Sequence, residues 1–343
     1  MRYIHKKEIC FVLITAIVSI VTEPHAQSRP HIRDIDRIRL AEAFRIADQI
    51  GDSLWEGWKS APFALLLVTH DREYLMHHPQ PSKDFTLLGY DSLLETDVYV
   101  RNRTKPIGFL ATFPAIQGSM IPTIVVGQAE STDVKTSTPW VVTLLHEHFH
   151  QLQMSQPGYY AEVESLKLSH GDQTGMWMLN FPFPYDSANV QEAFSRLSAL
   201  LVKGILPMKK SQRLKLAADY RRDLDRFAQT IGVDNFRYLS FELWQEGIAR
   251  YTEYRMARMS ASMYKPGLAF SRLGDFRPFR PVADSIYQTI VKQLSSAKLG
   301  TSRRALVYPF GAAEGLLLDN VSPGWHSKYL KQKFFLQRYF TPQ

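Results

Sequence analysis

His146-Glu147-His148-Phe149-His150 constrains this chain more than any other segment, because two imidazoles four residues apart share a face only if the backbone between them is helical. The pattern, H-E-x-x-H, lets both rings reach one metal ion while Glu147 lies beside them, placed to take a proton from a water. The flanks agree with a helix. Thr138 is expected to cap it with Pro139 at the first position, and Trp140 to Met154 continues without a breaker until Pro157-Gly158. Val141, Val142, Leu144 and Leu145 supply an apolar face. His148 points away from the metal face and is expected beside the site or exposed. With 11 His and 33 Asp plus Glu in 343 residues, roughly 0.03 such matches are expected by chance, which disfavours a helix that merely carries surface histidines.

The donors open to such an ion are restricted by composition. Cysteine occurs once, at Cys10, inside an apolar run from Ile9 to Val21 that follows Lys6 and Lys7 and gives way to Pro24 and Ala26. This is the build of an export signal, and it is short for a bilayer span. Residues 1–26 are therefore expected to be cleaved, leaving a secreted or periplasmic protein with no stable membrane insertion; an uncleaved anchor is the alternative. No disulfide framework is available to the mature chain, so a metal must be held by imidazole, carboxylate and water. Cleavage removes Arg2, Lys6 and Lys7 with Glu8 and Glu23, and the formal charge falls from +8 to +7. The remaining cations are scattered singly or in pairs such as Lys209-Lys210 and Arg221-Arg222, as on solvated helix faces, and no block argues for nucleic acid.

Apolar periodicity orders the rest. Ile35, Ile38, Leu40, Phe44, Ala47 and Ile50 recur at helical spacing and stop at Gly51. Phe63 to Thr69, Thr96 to Val100 and Ile121 to Val126 are strand candidates separated by turn residues. After Thr138 the signals are helical: Val190 to Leu206, Ser211 to Ile231, Phe236 to Met259, Ser285 to Leu294 and Ala312 to Leu318, with an irregular connection at 275–283. The expected class is α+β. A small sheet belongs to an N-terminal part, 27–135, and the metal motif to a mainly helical part, 136–343; the two can form one domain.

A structural zinc site closes with four protein ligands, whereas a catalytic one keeps three and an open position, so the third ligand matters. Glu246, in Trp244-Gln245-Glu246-Gly247-Ile248-Ala249-Arg250-Tyr251, is the leading candidate; His170, Glu162 and Glu164 compete. Gly247 is costly inside a helix and signals close backbone approach to another group, such as the first helix or the metal. Without the metal motif, an ordinary helix pairing Glu246 with Arg250 would be the better reading.

H-E-x-x-H followed by W-x-x-E-G-x-A resembles the gluzincin metallopeptidases, the zinc aminopeptidases in particular. The resemblance implies a zincin-like fold with Zn2+ on His146, His150 and Glu246, and Glu147 as general base. Tyr308-Pro309-Phe310-Gly311-Ala312 is similar to the Y-x-x-G-A stretch of those aminopeptidases, which implies that Tyr308 steadies the oxyanion. The match covers three short segments within 138–316 and departs from the family twice. Ninety-five residues separate His150 from Glu246, a gap that the helices between Val190 and Ile231 would fill as an insertion. No G-x-M-E-N segment precedes the zinc helix, so the family's grip on a substrate amine is missing. The metzincin continuation also fails, with Gln153 and Gln156 where Gly and His would stand. Ile121 to Gln128 is expected as an edge strand along which a peptide can pair. Glu242 and Glu253 are expected on solvated surface, with orienting ligands or meeting a substrate amine as the alternative, and Glu314 has no assigned part.

Two functions follow as expectations. One is an exported zinc peptidase acting on a peptide or protein through a metal-activated water; the same arrangement serves other amides or esters. The other is an exported binding or envelope-assembly protein whose metal is structural or vestigial. The sequence leaves oligomeric state open.

Overall fold

Leu65–Val68 and Thr123–Gly127 are buried at every position, which a strand sustains only where both faces of its sheet are covered. In the computed structural model, which describes residues 30–340, they are the parallel central pair β1 and β6 of a six-stranded sheet. Its other strands are β2 (Arg72–Met76), β3 (Thr86–Asp91), β4 (Thr96–Asn102) and β5 (Leu110–Phe113), in the order β3-β4-β2-β1-β6-β5, all paired antiparallel. Strand alternation divides the apolar residues between two cores. Leu65, Leu67, Ile124 and Val126 face the large helical core, while Leu66, Val68 and Val125 join Leu75, Phe85 and Ile116 on the opposite face. The expected export signal, Cys10 included, lies outside the described residues.

One expectation about the sheet is corrected, and three strands are added to it. Thr123–Gly127 is interior, hydrogen-bonded on both sides, so the edge strand expected at Ile121 to Gln128 is instead β5. Strands β2, β3 and β5 carry little periodic signal. Glu73 inside β2 is buried, accepting hydrogen bonds from Arg101 Nε and the Thr104 and Lys105 amides at 2.6 Å each. β3 forms the far edge, exposed over most of its length and irregular between Leu87 and Gly89.

The principal helices are α1 (Asp34–Ile50), α2 (Ser137–Met154), α3 (Ala188–Ile205), α4 (Lys210–Ile231), α5 (Val233–Glu242), α6 (Ile248–Met263), α7 (Phe279–Ser295) and α8 (Val307–Val321). Sheet and helices belong to one compact unit from Ile32 onward, a mixed α+β fold. No described helix is long and apolar enough to cross a membrane. α2, the helix of the histidine motif, lies against β5 and β6. Buried polar groups fix it there: Trp140 Nε1 donates to Gly127 O at 3.1 Å, and Gln151 Nε2 to Ala64 O and Pro122 O at 2.8 and 2.7 Å.

Thr138 does not cap α2. The helix begins two residues earlier than expected, at Ser137 with Thr136 at the cap position, and Thr138 Oγ1 instead accepts from the Arg277 amide and donates to the Arg277 carbonyl at 3.0 and 2.7 Å. Ser137 is held similarly by Asp275. The connection expected at 275–283 is correspondingly short, because α7 already starts at Phe279 with Pro281 in its first turn, where a missing N–H costs little.

The long helix expected from Phe236 to Met259 is α5 and α6 joined through a π-helical turn, Leu243–Gly247. Two glycines allow this turn to lie directly against a neighbouring helix: a Cβ on Gly247 would stand 2.5 Å from Gly311 Cα, and one on Gly311 would stand 2.6 Å from Gly247 Cα. Gly247 thus does mark a close backbone approach, but to α8 rather than to the first helix or a metal. The α3–α4 pair packs against another face of α8, through Phe194 on Phe310 and Tyr220 on Glu314.

Candidate metal centre

On α2, residues 146 and 150 face α6 and the π turn, and both imidazoles are buried. Their Nε2 atoms converge on one carboxylate oxygen, Glu246 Oε2, at 3.8 Å from His146 and 3.4 Å from His150. Ligand atoms around a tetrahedral ion at about 2.0–2.1 Å stand roughly 3.3 Å apart, so these spacings suit one ion bound by all three. An oxygen of Glu147 also lies within 4.8 Å of the imidazole nitrogens, and His146, Glu147 and His150 form a buried group able to hold a metal ion. We place Glu246 ahead of Glu147 as the third donor because Glu147 Oε2 is already held by Thr112 Oγ1 at 2.7 Å, from the edge strand β5. The other candidates for that donor are elsewhere: His170 and Glu164 are exposed, and Glu162 pairs with Lys333 at 2.6 Å.

The opposite ring nitrogens are occupied. His150 Nδ1 meets Gln153 Oε1 at 2.7 Å, and His146 Nδ1 meets Glu253 Oε2 at 3.4 Å. An acceptor at Nδ1 holds a proton on that nitrogen, so Nε2 is the nitrogen that a metal would take. Gln153 also donates through Nε2 to the carbonyls of Trp244 and Gln245 at 3.0 and 3.1 Å, tying the ring it orients to the turn that carries Glu246.

Comparison with protein-family models, with curated proteins and with solved structures finds no match. The chemistry of the centre therefore rests on its own residues.

Those residues form a charge-dense interior. Burial disfavours a charged His146, but Glu246, Glu253 and Glu147 outweigh it and raise its pKa to about 10. Burial likewise opposes ionisation of Glu246, yet His150, His146 and Arg304 hold its carboxyl well below the usual range. Arg304 Nη2 lies 2.9 Å from Glu246 Oε1 and 2.8 Å from Glu242 Oε2. It thereby engages one Glu246 oxygen and turns the other to the imidazoles. The contact with Glu242 has ion-pair distance without hydrogen-bond geometry, and burial pushes that buried carboxyl up to about 8 against the pull of Arg304.

Tyr308 stacks beside His146 with ring centroids 6.3 Å apart, and its hydroxyl accepts from Arg304 Nη1 at 3.3 Å. Both residues sit at the entry to α8, which the Gly247–Gly311 approach presses against the π turn. Arg250 pairs with Glu253, its Nη1 2.6 Å from each oxygen, and not with Glu246. Glu253 is accordingly buried at the metal centre rather than on a solvated face. His148 is buried too, its ring 3.9 Å from that of Phe63 and parallel to it; burial lowers its pKa to about 4, so it is a neutral core residue. Glu314 lies on α8, where it accepts from Tyr220 OH at 2.6 Å.

Sequence reasoning missed three contributors. Thr112 sits in an unpredicted four-residue strand, and Gln153 registered only as a departure from another family's spacing. Arg304 follows Arg303 in a pair that looks like any other basic pair on this chain.

Proposed function

We propose that this chain is a zinc-dependent hydrolase of the gluzincin type, with a zincin-like catalytic region, and that it cleaves peptide bonds outside the cytoplasm. The observation carrying the reading is the convergence of His146 Nε2, His150 Nε2 and Glu246 Oε2 with both Nδ1 atoms satisfied from behind. Two imidazoles and a carboxylate are a zinc donor set, and three donors leave room for a reactant. When bound there, zinc would act as a Lewis acid and make water nucleophilic near neutral pH.

The chain's own groups supply the rest. Glu147, steadied by Thr112, takes the proton from the attacking water and returns it to the leaving amine. Tyr308 and Arg304 stand on the His146 side of the centre, where a phenol and a guanidinium can stabilise charge developing on the carbonyl oxygen. β5 carries Thr112 at the open edge of the sheet, so an extended substrate added to that edge passes beside Glu147. The apolar run at Ile9 to Val21 supports export.

Zinc stoichiometry and turnover of a peptide library test this reading together. The wild type should bind one zinc and hydrolyse; Glu147→Gln should keep the metal and lose hydrolysis; Glu246→Ala should lose both. Unchanged zinc affinity in Glu246→Ala refutes the ligand set. Full hydrolysis by Glu147→Gln refutes the mechanism. Stoichiometric zinc without turnover on any substrate would favour a binding protein with a structural metal.

A further inference from the structure

A cavity of about 270 Å³ opens between the first turns of α2, the start of α6 and α7. It borders the centre on the Nδ1 side of His146. Glu253 forms part of its wall and reaches His146 Nδ1 at 3.4 Å, and Val142 lies one helical turn before His146. Val142 joins Val282 and Ile286 in an apolar lining, and the charged residues are Arg250, Glu253 and Arg277. Arg250 spends Nη1 alone on Glu253 and neutralises it. Among the described residues, Arg250 Nε and Nη2 have no hydrogen-bond partner, and the side chain of Arg277, a solvent-exposed residue, has neither a hydrogen bond nor an ion pair. The surplus charge of the cavity is therefore positive.

Size and charge select an occupant. The volume falls just under the roughly 300 Å³ at which sites for drug-sized molecules begin, so the cavity suits one residue rather than an extended segment. An internal residue would present a neutral amide and leave the guanidinium groups unanswered; a terminal amine would be repelled. A C-terminal residue offers an apolar side chain to Val142, Val282 and Ile286 and a carboxylate to Arg250 and Arg277.

We propose that this cavity receives the C-terminal residue of the substrate, which makes the protein a carboxypeptidase with a preference for apolar C-terminal residues. The proposal rests on the hydrolytic function argued above. Water oxygen bonds to the carbonyl carbon preceding that residue, the C–N bond breaks, and the water proton passes through Glu147 to the leaving nitrogen. The products are a shortened peptide and a free amino acid.

The test separates the cavity from the catalysis. The metal-free full-length chain is titrated by NMR with 4-methylpentanoate, which mimics leucine without its amine and has no bond to cleave, and with 4-methylpentanamide. The acid should bind about tenfold more tightly than the amide, and Arg277→Gln should bring the two within about threefold. Arg196→Gln, which removes an exposed cation that pairs with Glu192, should leave the preference intact. Equal binding of acid and amide, or a preference that survives Arg277→Gln, overturns the cavity assignment whatever the activity. The zinc-loaded chain is then given an N-blocked dipeptide ending in leucine and its C-terminal amide. Faster cleavage of the acid supports the carboxypeptidase, and equal cleavage overturns it. Selective acid binding with no cleavage of either would leave the cavity assigned and overturn the hydrolytic reading.

Discussion

Gly247→Ala puts the architecture of the metal centre to a direct test. The new Cβ would stand 2.5 Å from Gly311 Cα and 3.0 Å from Val307 O, both backbone atoms that no rotamer change can move. Carbon atoms settle at about 3.5–4.0 Å, so α8 and the π turn must separate by about 1 Å, at a cost near the upper end of the overpacking range, about 3 kcal/mol. For a unit this large, that corresponds to a fall in Tm of about 6 °C. The same displacement acts on metal binding, because Glu246 precedes Gly247 and its distances to the imidazoles, 3.4 and 3.8 Å, leave little slack. Zinc affinity should fall at least about tenfold, as when a group supporting a ligand is lost. Circular dichroism melts of the metal-free and zinc-loaded forms, with competition against a chromophoric chelator, read both effects. Gly274→Ala is the control, since its Cβ would meet nothing within 4 Å, and it should change stability by less than about 0.5 kcal/mol. If Gly247→Ala melts with the wild type and holds zinc equally well, the glycine contact is not what positions Glu246.

Glu253→Gln keeps the shape but weakens the acceptor at His146 Nδ1, and zinc affinity by chelator competition should drop about 10- to 100-fold with little change in fold. Tyr308→Phe should leave zinc binding unchanged and lower kcat about 100-fold in steady-state kinetics, with a smaller effect on KM, if the phenol serves the transition state. Glu314 gives a pH signature. Burial raises its pKa from 4.5 to about 8, so the fold holds it neutral while the unfolded chain ionises. Its contribution is therefore fully present below about pH 4.5 and is lost by about 1.4 kcal/mol per pH unit as pH rises towards 8. Urea midpoints for Glu314→Gln should exceed the wild type at pH 8 and converge with it below pH 5; parallel pH profiles would refute a neutral Glu314.

What the sequence disclosed and what it withheld follow from the range of the forces involved. The helix of His146 and His150 was legible because period and motif are local, and β1 and β6 were legible as apolar runs. β2, β3 and β5 were not. Their registers depend on partners distant in sequence, and the carboxylate of Glu73 interrupts β2 for the sake of a loop some thirty residues later. The cap at Thr138 failed for the same reason, since an Arg277 backbone supplied from 139 residues away outcompetes a local hydrogen bond.

At the metal centre the split is sharper. Glu246 could be singled out before any fold was known because it stands in a helical segment, Trp244 to Tyr251, that complements the histidine motif, whereas the glycine beside it answers to Gly311 of α8. Nothing comparable marks Arg304 or Thr112. Each acts on a carboxylate through a single contact made only after folding, and an arginine beside another arginine, or a threonine in a short strand, has many ordinary uses. Gln153 lies between: its spacing of three from His150 is visible in the sequence, but its meaning depends on the Trp244 and Gln245 carbonyls that anchor its other end. Candidate ligands can thus be recognised by type and period. The side chains that aim them are recognisable only once the long-range contacts are known, so the specificity of this centre should be sought among the residues that the motifs do not name.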